Sequence, residues 1–249
     1  MKKRIPRTTE EIVASLRASP DYSPELEKRL QQIEADEAAI AREAEPILQA
    51  LAAHGIRATG IDASLEPYLP LPEPAVEIFL EYLPKVSDIR VKDMMVWYLR
   101  TTKVRFDATV LTQVFDTETS MHVKWVIGET IAHLRPRGIE EWLAATLRNR
   151  EHGKARQMLC FAAARLLPKE EARKILVEVF DDMPGHAAGG LRTVGGADEL
   201  AFLKSQEPHP TRCVRKAIAS AIRGIEKRLE KERNRQAIKD TGKRAKKTR

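Results

Sequence analysis

Apolar residues in the C-terminal part of the chain recur in blocks: Met95 and Leu99, Ile127 and Ile131, Leu159 and Ala163, Leu191 and Gly195, Ile218 and Ile222. Each block opens four residues earlier, on Val91-Lys92, Val123-Lys124, Ala155-Arg156, Ala187-Ala188 or Val214-Arg215. The first four openings stand 32 residues apart and the last follows after 27. Leu134, Leu166 and Ile225 extend three of the blocks at offset eleven. Steps of four, four and three keep these side chains on one face of a helix. Further amphipathic segments at 74–84, 106–115, 139–149, 169–181 and 198–205 precede the blocks. Each unit therefore predicts a pair of helices. Neither helix of a pair can bury its apolar face alone, so the pairs must stack. No segment sustains period-two alternation, and no sheet is expected.

The N-terminal part follows another pattern. Thr8 with Glu11 predicts a capping box before Ile12 and Leu16, and Ser19-Pro20 predicts the end of that helix. Ser23 and Pro24 predict the start of a longer one, in which Leu26, Leu30, Ile33, Glu37, Ile40, Ala44, Ile47 and Leu51 alternate by fours and threes. This heptad seam predicts an amphipathic helix docked on the rest of the protein, or else self-association through residues 24–51. Pro46 predicts a break or kink near residue 45. The expected organisation is N-terminal helices over 1–55, a Pro-rich linker over 56–73, a repeat array over 74–228 and a basic tail over 229–249.

The residues that open the second helices are Asp88-Ile-Arg-Val-Lys92, Met121-His-Val-Lys124, Gly153-Lys-Ala-Arg156 and Cys213-Val-Arg215. They resemble the Val-Arg step of HEAT repeats, and the small residues at Ala162–Ala164 and Ala217–Ala221 are similar to that family's tightly packed inner helix. The 32-residue step is shorter than the family's usual period of about 40–47 residues and closer to the compact HEAT-like units of the phycobilin-lyase type. The turn aspartate is clear only at Asp88, and the fourth unit, Pro184 to Leu200, has lost its basic residue. The resemblance implies an all-α fold, a right-handed α-solenoid of about five HEAT-like helical hairpins with an N-terminal helical extension.

In such solenoids the second helices line the concave face, so offsets two, six and nine should point into a groove. They hold Asp93, Trp97 and Arg100, then Trp125 and Glu129, then Gln157 and Phe161, then Lys216, Ser220 and Arg223. Aromatic residues rimmed by charge mark binding surfaces; the competing expectation is that tight curvature buries them as core. Lys92, Lys124, Arg156 and Arg215 share one offset. They read either as a basic ladder for phosphates or acidic peptides, or, as the family implies, as bridges between neighbouring repeats. Gly185, Gly189, Gly190, Gly195 and Gly196 lack the strand and the Gly-Lys-Ser/Thr of a phosphate loop and are expected to let a repeat helix pack closely or to fray it.

Charge narrows the partners. Residues 226–249 carry eleven Lys or Arg against four Asp or Glu, a net +7 that equals the net charge of the whole 249-residue chain. Residues 8–225 hold 28 basic and 32 acidic side chains, so the body is no general polyanion binder. The tail residues Lys243, Arg244, Lys246, Lys247 and Arg249 are the candidates for contact with nucleic acid. Cys160 and Cys213 show no metal-binding spacing, and His122 and His186, although at one offset, lie two repeats apart. No metal site, cofactor or catalytic residue is predicted. The basic opening meets Glu10 and Glu11 before any apolar run, and no stretch is apolar enough to span a membrane, so a cytoplasmic protein is expected. The expected function is a non-catalytic scaffold or adaptor for protein–protein interaction, holding another protein or a peptide in the groove. The alternative is a nucleic-acid-binding HEAT-like protein. Asp93, Trp97, Trp125 and Glu129 are similar in type to the groove residues of DNA-alkylpurine glycosylases.

Overall fold

Capping side chains set where the first helices begin. Thr8 N–H donates to Glu11 Oε2 at 3.1 Å and Glu11 N–H donates back to Thr8 Oγ1 at 3.2 Å, closing a capping box on α1 (Thr9–Arg17). Ser23 Oγ accepts the Leu26 N–H at 3.2 Å and opens α2 (Pro24–Ala53). The computed structural model describes residues 8–18 and 23–247, and the expected stop at Ser19-Pro20 lies outside them. Among the described residues every regular element is helical, with twelve α-helices and two 3-10 segments. The chain divides into two compact units, Met1–Glu66 and Pro67–Arg249.

In the first unit α2 runs through Pro46 without the break expected near residue 45. An interior proline costs about 3 kcal/mol. Buried Ala44, Ile47 and Leu51 lie on either side of it, and burying one Leu or Ile side chain returns about 1.5–3 kcal/mol, enough to hold the helix together. The heptad seam is buried only in part, because Leu30 is covered while Ile33 remains 44% exposed. Arg17 on α1 reaches Glu27 at 3.4 Å and Glu34 at 3.1 Å on α2. A 3-10 turn follows at Ala63–Tyr68.

The second unit contains the five expected pairs: α3 (Glu73–Tyr82) with α4 (Ile89–Leu99), α5 (Thr109–Thr117) with α6 (Met121–Leu134), α7 (Glu140–Arg148) with α8 (Leu159–Leu166), α9 (Lys169–Glu178) with α10 (Pro184–Val194), and α11 (Ala197–Ser205) with α12 (Arg212–Lys247). The members of each pair pack on each other, and the second helices pack in succession, α4 on α6, α6 on α8, α8 on α10 and α10 on α12. The periodic residues form the core between them. Met95, Leu99, Ile127, Ile131, Leu159, Ala163, Leu191, Ile218 and Ile222 are all buried, against first-helix residues such as Phe79, Phe115, Leu147 and Leu176. Thr130, itself buried, donates its hydroxyl to the Val96 carbonyl at 3.2 Å and fastens α6 to α4.

Three elements depart from the simple repeat. The third second helix does not start at Ala155; a 3-10 segment, Arg150–Met158, precedes it. Gly153 there has φ 52 and ψ −135, a backbone that favours glycine. The glycines of α10 do not fray it: a Cβ on Gly190 would lie 2.8 Å from the Cys160 carbonyl oxygen, so glycine here permits close packing of α10 on α8. The last helix runs on from the repeat array into the basic tail and continues to Lys247. Its extension is rich in Glu, Lys and Arg at helical spacing, with opposite charges at Arg228 and Glu232 and at Glu230 and Arg233. No described helix is long and apolar enough to cross a membrane.

Candidate binding face and the bridges behind it

Asp88 opens α4 by accepting the Arg90 and Val91 N–H groups, and Ser120 opens α6 by accepting that of Val123. These caps fix the start of both helices and hence the direction of the side chains two, six and nine residues beyond each opening pair. Trp97 is 37% exposed, and the Arg100 guanidinium sits over its ring at 5.5 Å from the centroid. Arg100 also reaches across to α6, where its Nη1 lies 2.9 Å from Glu129 Oε1. A cation that stacks on an exposed indole while paired with a carboxylate holds both groups in a fixed arrangement.

The other predicted groove residues fall into smaller groups. Asp93 Oδ1 lies 3.2 Å from Nε2 of His122, whose own side chain is exposed. Trp125 is half-buried. Phe161 is half-buried too and meets His186 edge to face at 5.8 Å. Burial holds the His186 imidazole below its usual pKa and so favours the neutral ring. Gln157 and Ser220 are half-buried, while Lys216 and Arg223 are exposed. The structure thus brings Trp97, Arg100 and Glu129 into one cluster and places a histidine beside Asp93, without a hydrogen bond to its Oδ1, and another against Phe161. Arg223, on α12, belongs to neither group. Lys243, Arg244, Lys246 and Lys247 fall on the helical backbone of α12, and Arg249 lies outside the described residues.

The basic ladder is engaged internally. Lys92 forms an ion pair with Glu118 in the turn before α6. Burial raises the Glu118 pKa, but Lys92 and the N–H groups of Ser120 and Thr119 outweigh it, and the carboxyl lies below its usual range. Lys124 Nζ lies 3.1 Å from His152 Nδ1 and over the Phe115 ring at 5.3 Å. Burial first and then the Lys124 charge push His152 towards its neutral form. Arg156, 2% exposed, donates to the Leu147 and Gly153 carbonyls and to Asp182 Oδ2, the last at 3.2 Å. Arg215 donates to the carbonyls of His209 and Pro210 at 2.8 and 2.7 Å. The first three cations each join their own unit to the turn of the next; Arg215 bonds only to nearby carbonyls of its own unit.

Sequence reasoning missed the roles of His122 and His186. Their shared offset is visible in the sequence, but an offset does not name the neighbouring-helix residue that each ring meets. Among the described residues no group of three His, Cys, Asp or Glu side chains is arranged to hold a metal ion. Nor does the spacing single out Trp142. Its indole N–H donates to Asp116 Oδ2 at 3.0 Å and its ring packs edge-on against Phe115. Comparisons with protein-family models, curated proteins and solved structures find no match for this chain.

Proposed function

We propose that the chain is a HEAT-like, right-handed α-solenoid acting as an interaction module, and that the exposed face of its second helices binds a protein or peptide partner. The observation that carries this reading is the Trp97–Arg100–Glu129 cluster. A large aromatic ring lies exposed on a well-packed helix, with a guanidinium stacked on it and a carboxylate fixing that guanidinium. Trp and Arg are the usual anchors of protein interfaces. Half-buried Trp125 and Phe161 continue the aromatic series on the next second helices. The succession of packed second helices, and the cations that link each of the first three units to the following turn, support the HEAT-like assignment. The pairing of Glu129 with Arg100 suits recognition better than proton abstraction, which favours this reading over a glycosylase-like one.

Selection of peptides from a displayed library on the full-length protein tests the proposal. Peptides that bind the face should lose about 2 kcal/mol or more per anchor when Trp97 or Trp125 is replaced by Ala. The melting temperature should fall by only a few degrees. Undiminished peptide binding in the double variant would refute the reading, as would a collapse of its thermal stability, since the tryptophans would then be core.

A further inference from the structure

The loops that follow α4 and α6 line an open cavity of about 490 Å³. Lys103, Arg105, Arg135 and Arg137 line it, all exposed, with Phe106 and Pro136 half-buried among them. No carboxylate belongs to its lining. Among the described residues, none of these four cationic side chains has an ion pair or a side-chain hydrogen bond. Other arginines of the same two units and of the next one are engaged: Arg90 with Asp88, Arg100 with Glu129, Arg148 with Glu178, Arg150 and Arg156 with Asp182.

Cations beside helix C-termini are ordinarily explained by the helix dipole, and both α4 and α6 end here. Two helix ends supply roughly half a negative charge each. Four cations therefore leave a surplus of about three positive charges. Arg135 adds a second oddity, with φ 54 and ψ 54 at the helix end, a position where glycine or asparagine is usual. The loop after α4 is held in place from within. The Thr102 hydroxyl donates to the Leu71 carbonyl at 2.8 Å and accepts the Val104 N–H at 3.0 Å. The sequence carries a trace of the same arrangement, since Lys103-Val-Arg105 and Arg135-Pro-Arg137 stand 32 residues apart, the step of the repeat.

We propose that this cavity binds an organic phosphate of nucleotide size. The guanidinium groups of Arg105, Arg135 and Arg137 and the Lys103 ammonium hold the phosphate oxygens, and Phe106 and Pro136 face the organic part. Guanidinium forks match phosphate oxygens in pairs, and the volume falls within the ordinary range of small-molecule sites. The site shares no residue with the Trp97 cluster and stands or falls independently of it.

Titration of the full-length protein with a fluorescent N-methylanthraniloyl ATP, at low and at physiological salt, tests the assignment. The expected result is saturable binding at both, displaced by unlabelled ATP and weakened by about tenfold or more in R105Q/R137Q. Arg135→Gly separates binding from folding. It relieves the left-handed backbone, so the melting temperature should hold or rise while affinity drops. Inorganic tripolyphosphate should displace the probe only at higher concentration than ATP. Equal potency would remove the organic half of the proposal. The proposal is overturned by absence of saturable binding, by unchanged affinity in these variants, or by loss of binding in a full-length chain whose Lys243, Arg244, Lys246, Lys247 and Arg249 are replaced by Gln, which would move the site to the tail. Tighter binding of a short oligothymidylate than of ATP would also overturn it, making the cavity part of a strand-binding track.

Discussion

Arg156 and Arg215 occupy one offset of the repeat, yet their removal should have very different effects. Arg156 is buried and satisfies two carbonyls and a carboxylate. Truncation leaves buried acceptors without donors, although Asp182 keeps Arg150 as a partner. Arg156→Ala should therefore lower stability by about 2–3 kcal/mol, short of the full cost of orphaning a buried charge. Arg215 bonds two carbonyls from an exposed position, so Arg215→Ala should cost less than about 1 kcal/mol. Urea unfolding midpoints of the two variants give the comparison, and equal losses would contradict it. The offset itself was legible in the sequence, but the partners Glu118, His152 and Asp182 were not. They lie in turns of dissimilar sequence, 26 to 28 residues downstream, and only the stacking of units brings them within reach. The same holds for His122 and His186, whose contacts come from neighbouring helices.

Helices announced themselves where apolar spacing and caps agreed, and misled where one local signal stood alone. All five pairs of the second unit were legible from periodicity because burial and spacing obey the same constraint. Pro46 brings no break because the buried apolar residues that flank it offset its penalty. The 3-10 start at Arg150–Met158 was missed because Gly153 takes a positive φ, which spacing does not encode. In α10 two glycines show how position decides the effect of one methyl group. At Gly190 an added Cβ meets the Cys160 carbonyl at 2.8 Å and both Leu176 methyls at 2.9 Å. Overpacking of this kind costs about 1–3 kcal/mol, more than the roughly 1 kcal/mol that Ala offers a helix, so Gly190→Ala should destabilise. At Gly185 nothing lies within 4 Å, and Gly185→Ala should stabilise by about 0.5 kcal/mol. Thermal melts should shift in opposite directions; a shared sign would show that the packing of α10 on α8 is not the deciding term.

Over the whole molecule, charge counting was informative and incomplete at once. It located the excess in residues 226–249 and described the remainder as neutral, but a sum along the chain cannot register that four cations from two loops line one cavity. Trp97, Arg100 and Glu129 were all read from their offsets, and they stand in one cluster. What offsets could not supply was the ion pair that ties two helices together there. The links from Lys92, Lys124 and Arg156 to the following turns have one more implication. They run from one unit to the next, so none of them specifies how many units there are, and Arg215, bonded only to the His209 and Pro210 carbonyls, shows that a unit can stand without such a link. Growth by whole modules is thus built into the bonding pattern. A lengthened gene product carrying a tandem copy of residues 121–152 should fold as a monomer. Its ellipticity should rise in proportion to the added helices, and aggregation or unchanged helical signal would show that the register is set elsewhere.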